Sequence, residues 1–152
     1  MEPRPRRDFV LVRTPANLAV DRAVEFSLQG LTRYDGRYSL QAGDRAAIYV
    51  TAPLSSFVAT IEITGSSYED DEPVWVKPSN GETYPIRIAS RPRIVVADTQ
   101  AVHGRELVSK LEIARYLRDE ARWGMLFRNA IREVPENDFE LIEKALEQQL
   151  GD

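Results

Sequence analysis

The sequence predicts an α+β fold, with mostly antiparallel strands partly closed into a barrel and helices packed around them. Three observations lead there. Apolar or alternating runs of strand length recur at Phe9–Thr14, Arg45–Thr51, Phe57–Thr64, Tyr84–Ala89 and Arg93–Ala97. Apolar residues at helical spacing occur before, between and after these runs. Gly, Pro and Asn punctuate the intervals, without an internal repeat. At 152 residues the chain is expected to form one domain over 1–152.

In chain order, Phe9-Val-Leu-Val-Arg-Thr14 reads as a buried strand. Pro15-Ala-Asn17 opens a helix to about Phe26, because proline is pre-organised for the first helical position. Ser27–Leu31 is a turn or a short extended piece. Leu40-Gln-Ala-Gly-Asp44 is a turn that leads into the Arg45 strand, with Asp44 suited to accept from backbone amides. Phe57–Thr64 alternates, which predicts one half-exposed face. Gly65–Pro73 is an acidic loop, and Asn80-Gly81 is a tight turn before the Tyr84 strand. Arg105 to about Leu117 fits a helix. Residues 122–134 read either as a strand or as an irregular packed segment. Pro135–Asp138 starts a final helix, with acids at the positive end of its dipole and Phe139, Ile142, Ala145 and Leu146 on one face.

Composition removes several functional classes. The absence of cysteine excludes disulfides, thiolate chemistry, zinc ribbons and iron–sulfur clusters. A single histidine, His103, excludes His-rich metal sites, and its place before Gly104 suits a helix cap. No metal and no cofactor is expected. No apolar run approaches the ~20 residues of a membrane span. The basic N-terminus precedes only Phe9–Val12, too short for a signal-peptide core, so a cytoplasmic location is expected. The net charge of −4 is unevenly spread: residues 133–152 carry −6 and the remainder +2. Seventeen of the 20 basic residues are Arg, a fork suited to phosphate, although a GC-rich coding sequence gives the same bias.

No nucleophile elbow or phosphate-binding glycine loop is present. The run Glu69–Glu72 lacks calcium-loop spacing and reads as a solvated loop. Trp75, in Pro73-Val-Trp-Val-Lys-Pro78, is the informative residue. It is either a packed core residue or a platform for a flat ligand.

The order of these pieces resembles the EVE domain, a member of the PUA-like group that also contains the YTH modified-RNA readers. The resemblance covers nearly the whole chain. It rests on the opening strand with Asn17 after it, Leu40-Gln-Ala-Gly-Asp44 before Ile48-Tyr49-Val50, and Phe57–Thr64. It continues through Pro73–Pro78, Glu82-Thr-Tyr-Pro-Ile-Arg87, Arg122-Trp123 and the close from Ile131 to Glu143.

The resemblance implies a pseudo-barrel and a pocket that takes one modified base out of the nucleic-acid stack. It matches Trp75 to an aromatic wall, Asn17 to a polar pocket residue, and Arg13 and Thr14 to the strand end lining the pocket. Leu28-Gln29-Gly30-Leu31 matches a segment that usually reads apolar-Trp-Gly or apolar-Trp-Ser, so Gln29 stands where a second aromatic wall is expected. Tyr34 or Tyr49 could supply the missing ring. Tyr84 and Arg87 are further candidates for pocket or phosphate contact, with a buried ion pair as the other reading of Arg87. The expected function is a non-enzymatic module binding a modified base, in DNA rather than RNA. The alternatives are an RNA-binding module without base selectivity and a small hydrolase of modified nucleosides. The hydrolase would want a Lys where Arg13 stands, and Arg does not give up its proton.

Overall fold

The computed structural model describes residues 4–31, 40–75, 84–115, 117, 119–128 and 130–151. The first strand, β1 (Asp8–Arg13), is followed by helix α1 (Pro15–Ala23). Thr14 caps that helix, its hydroxyl accepting from the Asn17 N–H, and Pro15 takes the first position as the sequence indicates. Glu25 and Phe26 then adopt positive φ of 56° and 54° and turn the chain into β2 (Leu28–Leu31), the segment left open between turn and strand. Ser90 holds this turn, donating from Oγ to the Phe26 carbonyl and from its N–H to the Ser27 carbonyl.

The centre of the sheet is β3 (Arg45–Val50) and β4 (Ser56–Ile63). Both are buried on both faces, so the half-exposed face expected for Phe57–Thr64 is corrected. The covering element is the last helix, α3 (Glu136–Leu150), whose Glu143 accepts from Thr60 Oγ1 at 2.7 Å and takes both nitrogens of the Arg93 fork at 2.8 Å.

A short β5 (Tyr68–Glu69) precedes β6 (Ile86–Val95). Tyr84–Ala89 and Arg93–Ala97, read as two strands, are one ten-residue strand. A bulge bends it, since Ile61 faces Pro92 while Thr60 faces Ile94. A bulge tolerates a proline that cannot donate to the ladder. The first half of β6 pairs with β2 and the second half with β4, so a single strand curls the sheet into a half-barrel.

After β7 (Val102–His103) comes α2 (Gly104–Val108), capped by His103 Nδ1 as anticipated. The helix expected to reach Leu117 stops early. The next amides, Glu112 and Ile113, donate to the buried Asp138 carboxylate at 2.7 and 3.0 Å instead of extending the helix. 3-10 turns follow over Glu112–Ala114 and, broken by a kink at Arg122, over Glu120–Phe127, and then β8 (Ile131–Val134).

The strand order is β2-β6-β4-β3-β1-β8, with β5 beside β6 and β7 beside β4. The sheet is antiparallel except for the β1–β3 pair, which is parallel. Inside the barrel lie Phe9, Leu11, Phe26, Ile48, Ile61 and Ile88; outside, under the helices, lie Tyr49, Phe57, Phe127, Phe139, Ile142 and Leu146. No described helix is long and apolar enough to cross a membrane.

The Glu143 contacts carry a pH prediction. Hydrogen bonding by Arg93 outweighs burial and holds the Glu143 carboxyl below its ordinary value of 4.5. The unfolded chain therefore binds the proton more readily, and stability rises with pH through that window. The stabilisation is complete above about pH 4.5 and is lost as pH falls through the folded value. Urea midpoints of parent and Glu143→Gln are expected to differ near neutral pH and converge in acid. A difference independent of pH would contradict the ion-pair account.

Candidate base-binding site

Arg13 ends β1, one residue before the Thr14 cap of α1. Its guanidinium, 5% exposed, donates to the Gly30 carbonyl at 3.0 Å and to Gln29 Oε1 at 2.5 Å. Its Nε lies 3.4 Å from Asp21 Oδ2. Neither of these two buried atoms has a hydrogen-bond partner among the described residues, so they form an ion pair without hydrogen-bond alignment. The other Asp21 oxygen accepts from the Trp75 indole N–H at 2.8 Å. Burial raises the Asp21 carboxyl above its ordinary value, against the opposing pull of Arg13 and the indole N–H.

Trp75 is 6% exposed. Its six-membered ring lies so close to Gly30 that a Cβ there would come within 2.5 Å of it, which explains the glycine. Arg13 lies 5.8 Å from the ring centroid and Arg87 lies 5.4 Å from it, within cation–π range. Tyr84 meets the indole edge-to-face at 5.9 Å, and its hydroxyl accepts from Asn17 Nδ2 at 3.1 Å.

Arg13, Asn17, Gln29, Gly30, Trp75, Tyr84 and Arg87 are therefore one cluster, although 74 positions separate its ends in sequence. Thr14 stands exposed beside it, with its hydroxyl used as the α1 cap. Arg87 is 3% exposed; it donates to the carbonyls of Tyr84 and Glu72 and pairs with Asp70 at 3.6 Å. That is the buried ion pair, not a guanidinium presented to phosphate.

Two expectations need correction. Tyr49 points to the other face of the sheet, stacks on Phe127 at 4.4 Å and meets Phe57 edge-on, so it cannot replace a cage wall. Gln29 is wholly buried; Arg13 holds its oxygen and Ser90 Oγ accepts from its Nε2, so it faces the interior and not an open cage. Tyr34 lies outside the described residues.

Sequence reasoning missed Asp21. Its signal was an acid four residues after Asn17, on the stripe of α1 that also carries Leu18 and turns inward. It missed Ser90 as well, which announces itself by nothing local. The free space beside Trp75, lined by Glu72, Tyr84 and Arg87, is about 10 Å³. That is about the room of one water molecule. Among the described residues no cluster of His, Asp and Glu could hold a metal ion.

A mixed sheet curled into a half-barrel with three flanking helices is a PUA-like α+β fold. Solved structures of that class superpose on nearly the whole chain. The YTH domain of Zygosaccharomyces rouxii MRB1, solved with N6-methyladenosine RNA, matches with TM-score 0.63 and 21% identity over 95% of this chain and 86% of that one. ASCH from Zymomonas mobilis matches with TM-score 0.54 and 11% identity over 90% and 93%. A UPF0310 protein of Pyrococcus abyssi is 30% identical over 115 residues, covering 70% of this chain and 76% of its own. The EVE domain model matches residues 19–145, and the chain belongs to the EVE domain family.

Proposed function

We propose that this protein is a non-enzymatic module that binds nucleic acid carrying a modified base, DNA in preference to RNA, and receives that base at Trp75. The observation that carries the reading is the indole with two guanidiniums 5.8 and 5.4 Å from its centroid and the Asn17–Tyr84 pair beside it. Extruding a base costs a few kcal/mol, and stacking on tryptophan returns about 1–3 kcal/mol. The Asn17 amide has a donor and an acceptor for a base edge, and a base would exchange with its bond to Tyr84. With about 10 Å³ free beside the ring, the base enters by moving the indole off Gly30. The likeness to a YTH domain solved with N6-methyladenosine RNA supports a modified base by analogy of fold.

A second reading, nucleic-acid binding without base selectivity, is favoured by the buried Gln29, which leaves the cage without a second ring. Nucleoside hydrolysis is disfavoured, because Arg13 stays protonated and cannot act as its base. The test is a binding panel at fixed salt, with single- and double-stranded DNA and RNA carrying a methylated, hydroxymethylated or plain base. A preference of about tenfold, or about 1.4 kcal/mol, for a modified base is expected, and Asn17→Ala is expected to flatten it. Equal affinities would sink base selectivity, and no binding in any arm would sink both readings.

A further inference from the structure

A second tryptophan stands along the same end of the sheet. Arg13 pairs with Val50, Val50 with Ser56 and Ser56 with His103, so His103 lies three strand spacings from Arg13 in one row. That distance is roughly 14 Å at the usual spacing. Trp123 lies on Gly104, where a Cβ would fall 2.7 Å from the ring, and meets His103 at 5.3 Å. Unlike Trp75 it is only half-buried, and Met125 beside it is 47% exposed.

The segment 105–128 around Trp123 carries six basic and four acidic residues, a net charge of +2. Arg105, Arg122 and Arg128 are exposed, and among the described residues none of their side chains has an ion-pair or hydrogen-bond partner. By contrast Arg4, Arg6, Arg22, Arg45, Arg87, Arg91 and Arg93 all hold carboxylates. The Trp75 side of the sheet carries the acidic run Glu69–Glu72, which repels a phosphate backbone. A polyanion reaching Trp75 must therefore place its phosphates on another side, and the unpaired guanidiniums beside Trp123 are available for them.

We propose that Trp123, with Arg105 and Arg122, is a second nucleic-acid contact, on which single-stranded chain leading away from the Trp75 site stacks a base and sets its phosphates. The inference rests on the nucleic-acid reading above. A half-exposed aromatic plane among free arginines is how sequence-tolerant single-strand binding is built: stacking serves any base, and guanidiniums replace condensed counterions. The Gly104 contact fixes the indole plane, so little side-chain freedom is lost on binding.

The test uses the full chain and a short fluorescein-labelled single-stranded DNA of mixed sequence. Arg105→Glu and Arg122→Glu, both exposed positions, are each expected to weaken binding about tenfold and to lower the salt slope by about one. Trp123→Leu, at a half-buried position, is expected to weaken binding about tenfold and to lose part of the tryptophan quenching that the parent shows in step with binding seen by anisotropy. Unchanged affinity and quenching in Trp123→Leu, together with unchanged affinity and salt slope in the two Glu variants, would overturn the second contact while leaving the nucleic-acid reading standing. Absence of binding by the parent chain would remove both.

Discussion

Trp75→Ala is expected to lower the stability of the folded chain by about 3–5 kcal/mol, the usual cost of removing a buried aromatic side chain. The expectation follows from the ring's surroundings. It is 6% exposed, it fills the space over Gly30, and its N–H satisfies Asp21. Removing it opens a cavity and leaves a second Asp21 oxygen without a partner. Urea unfolding measures the loss directly. A variant as stable as the parent would mean that the indole is a ligand platform only, held in place by nothing it supports. Affinity measurements on this variant must be made well below its unfolding midpoint, since loss of fold and loss of stacking otherwise produce the same loss of signal.

Asp21→Ala is expected to cost a comparable amount, about 3–5 kcal/mol, because it breaks a buried pair and leaves the Arg13 charge uncompensated in the interior. The pair itself is no bargain energetically, since burial pushes the Asp21 carboxyl up despite the neighbouring guanidinium. The loss comes from removing one partner alone. The double variant Asp21→Leu with Arg13→Met removes both charges and is expected to recover much of the stability lost in the single variant. Strictly additive losses in that cycle would show that the two side chains do not interact.

How far these effects could be foreseen differs between fold and site. The positions of β1, β3, β4 and α3 were legible because each is written in local periodicity: alternation or apolar runs for strands, and Phe139, Ile142 and Leu146 at helical spacing for α3. The caps were legible for the same reason, since Thr14 and His103 act on amides two or three residues away. Trp75 was singled out as an aromatic between an acidic loop and a turn, whereas Asn17 and Arg13 were assigned to its site through the likeness of their motifs to a family, and not through any rule of spacing.

Local sequence determined where the chain extends and coils, and which of its residues avoid water, because those preferences depend on neighbours within a few positions. Tertiary structure alone decided the rest. It set the parallel pairing of β1 with β3, and it made one bent strand where the sequence reads two, with Pro92 accommodated beside a bulge in β6 opposite Thr60 and Ile61 of β4. It ended α2 early because a carboxylate from α3 took the amides that a longer helix needs. It also turned Gln29 inward to Arg13 and Ser90, and closed Trp75 over Gly30. Each of these choices is a competition for a hydrogen-bond partner or for space between segments distant in sequence, and the winner is set only when the barrel brings both contenders together.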